Sequence, residues 1–82
     1  MVLVQYDPEV DALYFKLRHV EPGGVKGARQ LDERRLIHYD HAGQPVGVEI
    51  LYATKGINLD GVPQADEIRR ALKSLPGLPV PA

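Results

Sequence analysis

Two short stretches of this chain echo one another, and both read as β-hairpins. The first is Tyr6-Asp7-Pro8-Glu9-Val10-Asp11-Ala12-Leu13-Tyr14. The second is Tyr39-Asp40-His41-Ala42-Gly43-Gln44-Pro45-Val46-Gly47-Val48-Glu49-Ile50-Leu51-Tyr52. Each opens on Tyr-Asp, turns, and runs into an apolar strand. An Asp at the first turn position accepts backbone N–H bonds, and a Pro at the second arrives with its φ already set. Asp40-His41-Ala42-Gly43 reads as a type I turn closed by a left-handed glycine, a common hairpin connection. Most polar, Gly and Pro residues are thereby accounted for as turn chemistry, and few remain for catalysis.

The flanking segments alternate with period two, as half-buried strands do. Val2, Val4 and Tyr6 share one face, and Leu3 and Gln5 the other. Leu13, Phe15 and Leu17 oppose Ala12, Tyr14 and Lys16. Ile37 and Tyr39 oppose Leu36 and His38, while Val46, Val48 and Ile50 alternate with Gly47 and Glu49. Glu21-Pro22-Gly23-Gly24 is a break. The weak pattern from Val25 to Leu31, with Lys26, Arg29 and Gln30, suits an exposed edge strand. From Ala53 to Gly61 the chain reads as a loop pinned by Ile57 and Leu59. Val62 to Leu75 reads as a helix: Pro63 suits its first position, Asp66 and Glu67 its N-terminal end, and Lys73 its C-terminal end. Ala65, Ile68, Ala71, Leu72 and Leu75 form one apolar stripe. Pro76-Gly77 stops it, and an extended, Pro-rich tail follows.

These readings give an α+β fold, an antiparallel β-meander of four to five strands with one C-terminal α-helix. Residues 1–54 supply the sheet, and residues 55–82 the loop, helix and tail of the same domain. With 82 residues and no cysteine, the chain buries only about 60–65% of its unfolded surface and has no disulfide to reinforce a thin core. One helix covers one sheet face. The other face, carrying Tyr14, Lys16 and, depending on register, Leu36 and Leu51, is left partly apolar. A homo-oligomer, most simply a dimer, is therefore the expected reinforcement. Tyr14, Lys16 and the tail residues Leu78 and Val80 form the candidate interaction surface.

The net charge of −1, from 10 basic and 11 acidic residues, argues against direct nucleic-acid binding through phosphates. No apolar run approaches the about 18 residues of a membrane span, and Met1 to Asp7 lacks the form of a signal peptide. A cytoplasmic protein is expected. No cofactor is implied.

Asp7, Glu9 and Asp11 alternate like the start of a cation loop, but the glycine and distal Glu of such loops are absent; hairpin closure by Asx-type bonds explains them. His38 and His41 lack the third ligand that a catalytic zinc needs. Glu49 stands mid-strand between Val48 and Ile50 and needs a cationic or donor partner if its face is covered, with Arg35, Lys16 or Arg29 as candidates. Glu49, His38 and Tyr39 are the candidate centre for the alternative reading, a small-molecule or metal-binding enzyme. Arg69, Arg70 and Lys73 read as a solvated helix side.

The first hairpin, extended through Phe15-Lys16-Leu17, and the second, through Leu51, resemble the DUF2283 family of small bacterial and archaeal proteins. Its pattern is a YDPEADALYI hairpin followed by a YD-x-x-G-x-x-x-G-[IV]-E-[IL]-L hairpin. The resemblance covers roughly residues 2 to 54. It implies no catalytic residues. It also implies an antitoxin-type role, proposed for members found beside a small toxin-like gene, so a non-catalytic interaction module with a small protein partner is the expected function. Phe15, Tyr52 and everything from Lys55 onward depart from the pattern.

Overall fold

In a computed structural model, which describes residues 2–74, five strands form one antiparallel sheet and a single helix packs on it. The strands are β1 (Leu3–Asp7), β2 (Ala12–Lys16), β3 (Val25–Asp32), β4 (Arg35–Asp40) and β5 (Pro45–Leu51). A single 3-10 turn (Ala53–Lys55) precedes the helix, α1 (Ala65–Leu72). The expected α+β class is therefore what the chain adopts.

The spatial order is β1-β2-β5-β4-β3. Two antiparallel runs, β1-β2 and β3-β4-β5, join where β2 pairs with β5, Leu13 opposite Ile50 and Phe15 opposite Val48. The segment between β2 and β3 crosses the ends of β5 and β4, which is why Glu21-Pro22-Gly23-Gly24 had to be a break. β3 is the outer strand, as its charges suggested. Its pairing with β4 shifts register between Val25 and Gly27 and between Gln30 and Asp32, irregularities that blunt an exposed edge.

The turns behave as their residues dictate. Asp7 Oδ1 accepts the Glu9 N–H at 3.0 Å. Asp40 Oδ1 accepts those of Ala42 and Gln44 at 3.0 and 2.9 Å, and Gly43 sits at φ 81°, where a Cβ is costly.

The core lies between one sheet face and the segment after Tyr52. Leu13, Phe15, Val48 and Ile50 meet Ala53, Leu59, Val62, Ile68 and Leu72. Each fully buried Leu, Ile or Phe contributes about 1.5–3 kcal/mol, so Leu13, Phe15, Ile68 and Leu72, all without solvent exposure, anchor the two layers. Ile57 and Leu59 pin the loop as predicted. Two arginines, Arg34 in the β3–β4 turn and Arg35 at the start of β4, hold its backbone as well. Arg34 donates to the carbonyls of Tyr52 (2.6 Å), Gly56 (2.8 Å) and Leu51 (3.3 Å), and Arg35 to those of Asn58 and Asp60 and to the Asp32 carboxylate.

The helix starts later than its pattern suggested. Gln64 adopts a left-handed backbone, φ 57° and ψ 35°, at the cap position, which places Pro63 in the approach and not in the first turn. Asp66 and Glu67 still occupy that turn, with Arg69 and Arg70 in the last, in keeping with the helix dipole. The expected Leu75, the stop at Pro76-Gly77 and the tail with Leu78 and Val80 lie outside the described residues.

Candidate functional site

Because side chains alternate along each strand, everything not aimed at the core on β2, β4 and β5 stands on the opposite face, which α1 does not cover. The register decides who meets whom. Gln5, Tyr14, Glu49, Leu36 and Gln30 form one row across the five strands. Leu3, Lys16, Gly47, His38 and Ala28 form the next.

Tyr14 dominates this face. Its ring leans across the strand gap onto Gly47, so close that a Cβ there would meet the Tyr14 ring carbon Cζ at 2.5 Å. Beyond Gly47 the ring meets His38 edge-on, centroids 5.5 Å apart and planes at 68°, a favoured aromatic geometry. His38 Nε2 in turn lies 3.4 Å from Glu49 Oε1, long for a hydrogen bond, and an Nε2–H proton is placed to be donated to that carboxylate. Burial, and then the Glu49 charge, push the Tyr14 phenol above its ordinary value of 10.0.

Two shallow, open hollows flank the Tyr14 ridge. One, of about 450 Å³, is lined by Gln5, Tyr14, Lys16 and the Val20–Gly23 loop. The other, of about 260 Å³, is lined by Gln5, Tyr14, Val10, Asp7 and Glu49. The first holds Lys16 and also Glu21, whose carboxylate lies 3.0 Å from His19 Nε2; the second holds the two carboxylates of Asp7 and Glu49.

Of the three residues expected to form a centre, the fold brings two together. Glu49 and His38 are in contact, while Tyr39 follows Ile37 onto the core side, where the Arg29 guanidinium carbon lies 6.0 Å from its ring centroid. Tyr14 stands beside Glu49 and His38 in its stead. The cations considered for Glu49 are differently engaged: Arg35 with Asp32 and the loop carbonyls, Arg29 with Tyr39. His38 reaches Glu49 because β4 places it diagonally, opposite Gly47. His41 is in the exposed β4–β5 turn, 3.1 Å from the Gly23 carbonyl, and no three His, Asp or Glu side chains gather as a ligand set among the described residues.

Asp11 has a structural task. It is left-handed at φ 53°, and its carboxylate accepts from Thr54 Oγ1 (2.6 Å), the Thr54 N–H (3.1 Å) and the Tyr6 hydroxyl (2.8 Å). The Thr54 hydroxyl bond is the main reason the carboxyl lies below its ordinary 3.8. The bond to Asp11 likewise raises the Tyr6 phenol. Sequence reasoning missed Gly47 as a seat for Tyr14; a glycine inside a strand marks a close approach, and that signal was present.

Among the described residues, the fold is a small sheet-and-helix module with one sheet face covered and the other open. Its sequence matches the family described as "Protein of unknown function (DUF2283)" over residues 3–53, more than half of the chain. The chain belongs to the DUF2283 family, and the match spans the whole sheet while stopping short of α1. No curated protein and no solved structure matches it. No helix among the described residues is long and apolar enough to cross a membrane.

Proposed function

We propose that this chain is a non-catalytic protein-interaction module whose working surface is the open sheet face around Tyr14 and Lys16. One observation carries the reading. Of the four large apolar side chains exposed among the described residues, Leu3 (53%), Val10 (62%) and Val25 (45%) border this face. Apolar groups gathered around a central tyrosine are the composition of an interface core, and broad, shallow hollows suit a protein surface better than a small molecule, which takes an enclosing cleft. An antitoxin-like role is the form suggested by the family resemblance.

Capture from native lysate tests this reading. Tagged wild-type protein is compared with a Tyr14→Ala, Lys16→Glu variant of confirmed fold. A protein bound by the wild type, the untagged copy included, and lost with the variant supports the module. An unchanged bound set refutes it.

The His38–Glu49 contact favours a second reading, a ligand-binding or metal-binding enzyme site with Tyr14 in the place expected for Tyr39. Metal analysis of untagged protein and a thermal-shift ligand screen test it. A ligand whose stabilising effect vanishes in Glu49→Gln supports it; no metal and no shift speak against it.

A further inference from the structure

Taking the open face as the working surface, we propose that its occupant is a second copy of this chain, packed face to face about a two-fold axis so that Lys16 of each subunit enters the Asp7–Glu49 hollow of the other. Three features of the face support a self-complementary fit.

The first is charge. Lys16 and the carboxylates of Asp7 and Glu49 lie on opposite flanks of the same ridge, in separate hollows that share Gln5 and Tyr14 as walls. A two-fold axis lying in the plane between the sheets, across the line from Lys16 to the acidic hollow, exchanges the two sites. Each lysine then meets carboxylates and each acidic hollow receives a cation, twice per dimer, as a two-fold interface requires. Within one subunit, among the described residues, the Glu49 carboxylate has a single polar side-chain partner, the 3.4 Å contact to His38. Covering that carboxylate without a further donor would be costly, and the lysine across the axis supplies one.

The second is shape. Tyr14 is a ridge because Gly47 beneath it has no side chain, and the hollows on either side give a facing ridge somewhere to go. Packed sheets stand about 10 Å apart, a gap that one layer of interdigitated Tyr, Leu and Lys side chains fills.

The third is size. Five strands about 4.8 Å apart make a face about 24 Å wide and, over the five residues of β1 and β2, about 17 Å long. Its projected area is about 400 Å², and side-chain relief brings this toward the about 600 Å² that each partner buries at the small end of the stable range. The exposed Leu3 on the face, with Val10 and Val25 at its margins, supplies apolar area.

The test is a charge swap read by light scattering and sedimentation across the soluble concentration range, with circular dichroism confirming the fold of each variant. The wild type is expected to be dimeric. Lys16→Glu alone and Glu49→Lys alone each set like charges against each other at both symmetric contacts, and each is expected to weaken the dimer about tenfold or more. The double variant, Lys16→Glu with Glu49→Lys, restores opposite charges and is expected to recover most of the lost affinity. A monomeric wild type overturns the proposal. So does a dimer indifferent to both single reversals, whose interface lies elsewhere, or one that the double swap fails to rescue. Where these results overturn the dimer, a protein other than this chain that the wild type captures and the Tyr14→Ala, Lys16→Glu variant loses still upholds the working face, so loss of the second-copy partner and loss of the working face are separate outcomes.

Discussion

Gly47→Ala is the sharpest probe of how the open face is built. The Gly47 backbone is not in the left-handed region, so the strand itself accepts a Cβ. What objects is the Tyr14 phenol: its hydroxyl oxygen comes nearest to that Cβ, followed by Cζ at 2.5 Å and Cε2 at 3.1 Å. Carbon contacts sit near 3.5–4.0 Å, so the ring must retreat by about 1 Å or swing off the sheet. Swinging off sacrifices the edge contact with His38, worth about 0.5–1.5 kcal/mol, and part of the ring's packing, and this alternative caps the cost. An estimate of about 1–2 kcal/mol follows, or roughly 4–16 °C in Tm for a domain of this size. In a Tyr14→Ala background the obstacle is gone. There the same Gly47→Ala change is expected to be neutral or to stabilise by about 0.5–1 kcal/mol, because glycine loses more backbone entropy on folding. Urea unfolding of the four proteins, in dilute solution, closes the double-mutant cycle. Equal effects of Gly47→Ala in both backgrounds, or a cost below about 0.5 kcal/mol with Tyr14 present, would refute the packing of Tyr14 on Gly47.

Further outcomes follow from the same contacts. Arg34→Lys cannot span three carbonyls and is expected to cost about 1–2 kcal/mol and to speed amide exchange at Ala53 and Gly56; unchanged exchange would remove Arg34 from its clasping role. The Asp11 carboxyl is depressed by its Thr54 and Tyr6 bonds, so its contribution is present above the ordinary 3.8 and lost as pH falls through the lower folded value. Asp11→Asn should therefore be less stable than wild type at neutral pH and show a flatter stability profile below pH 3.8; parallel profiles would contradict the assignment. The Tyr14 phenol is raised by burial and by Glu49, so its neutral form stabilises the fold below the ordinary 10.0, a contribution lost as pH rises through the higher folded value. A ring-carbon NMR titration should show Tyr14 moving back toward 10.0 in Glu49→Gln, and an unmoved curve would rule out the Glu49 contribution.

Much of the architecture was legible along the chain because it is local. Turn chemistry at Asp7-Pro8 and Asp40–Gly43, period-two alternation through β1, β2, β4 and β5, and the charges of β3 are all set by neighbours a few residues away, and backbone sterics fix their meaning. Strand order was not legible. The sequence specifies which face of β2 and β5 is apolar but not that Phe15 will stand opposite Val48, because that pairing closes a long loop and depends on the fit of the whole core. The candidate site divided along the same line. Alternation alone separates Tyr39 from His38, whereas the diagonal that joins His38 to Glu49, the leaning of Tyr14 onto Gly47, and the clasp of Arg34 and Arg35 on a loop about 20 residues further on need the register. Sequence determined the elements and the sidedness of their residues; tertiary structure decided which side chains share a surface, since contacts between strands distant along the chain depend on three-dimensional packing that no local pattern encodes.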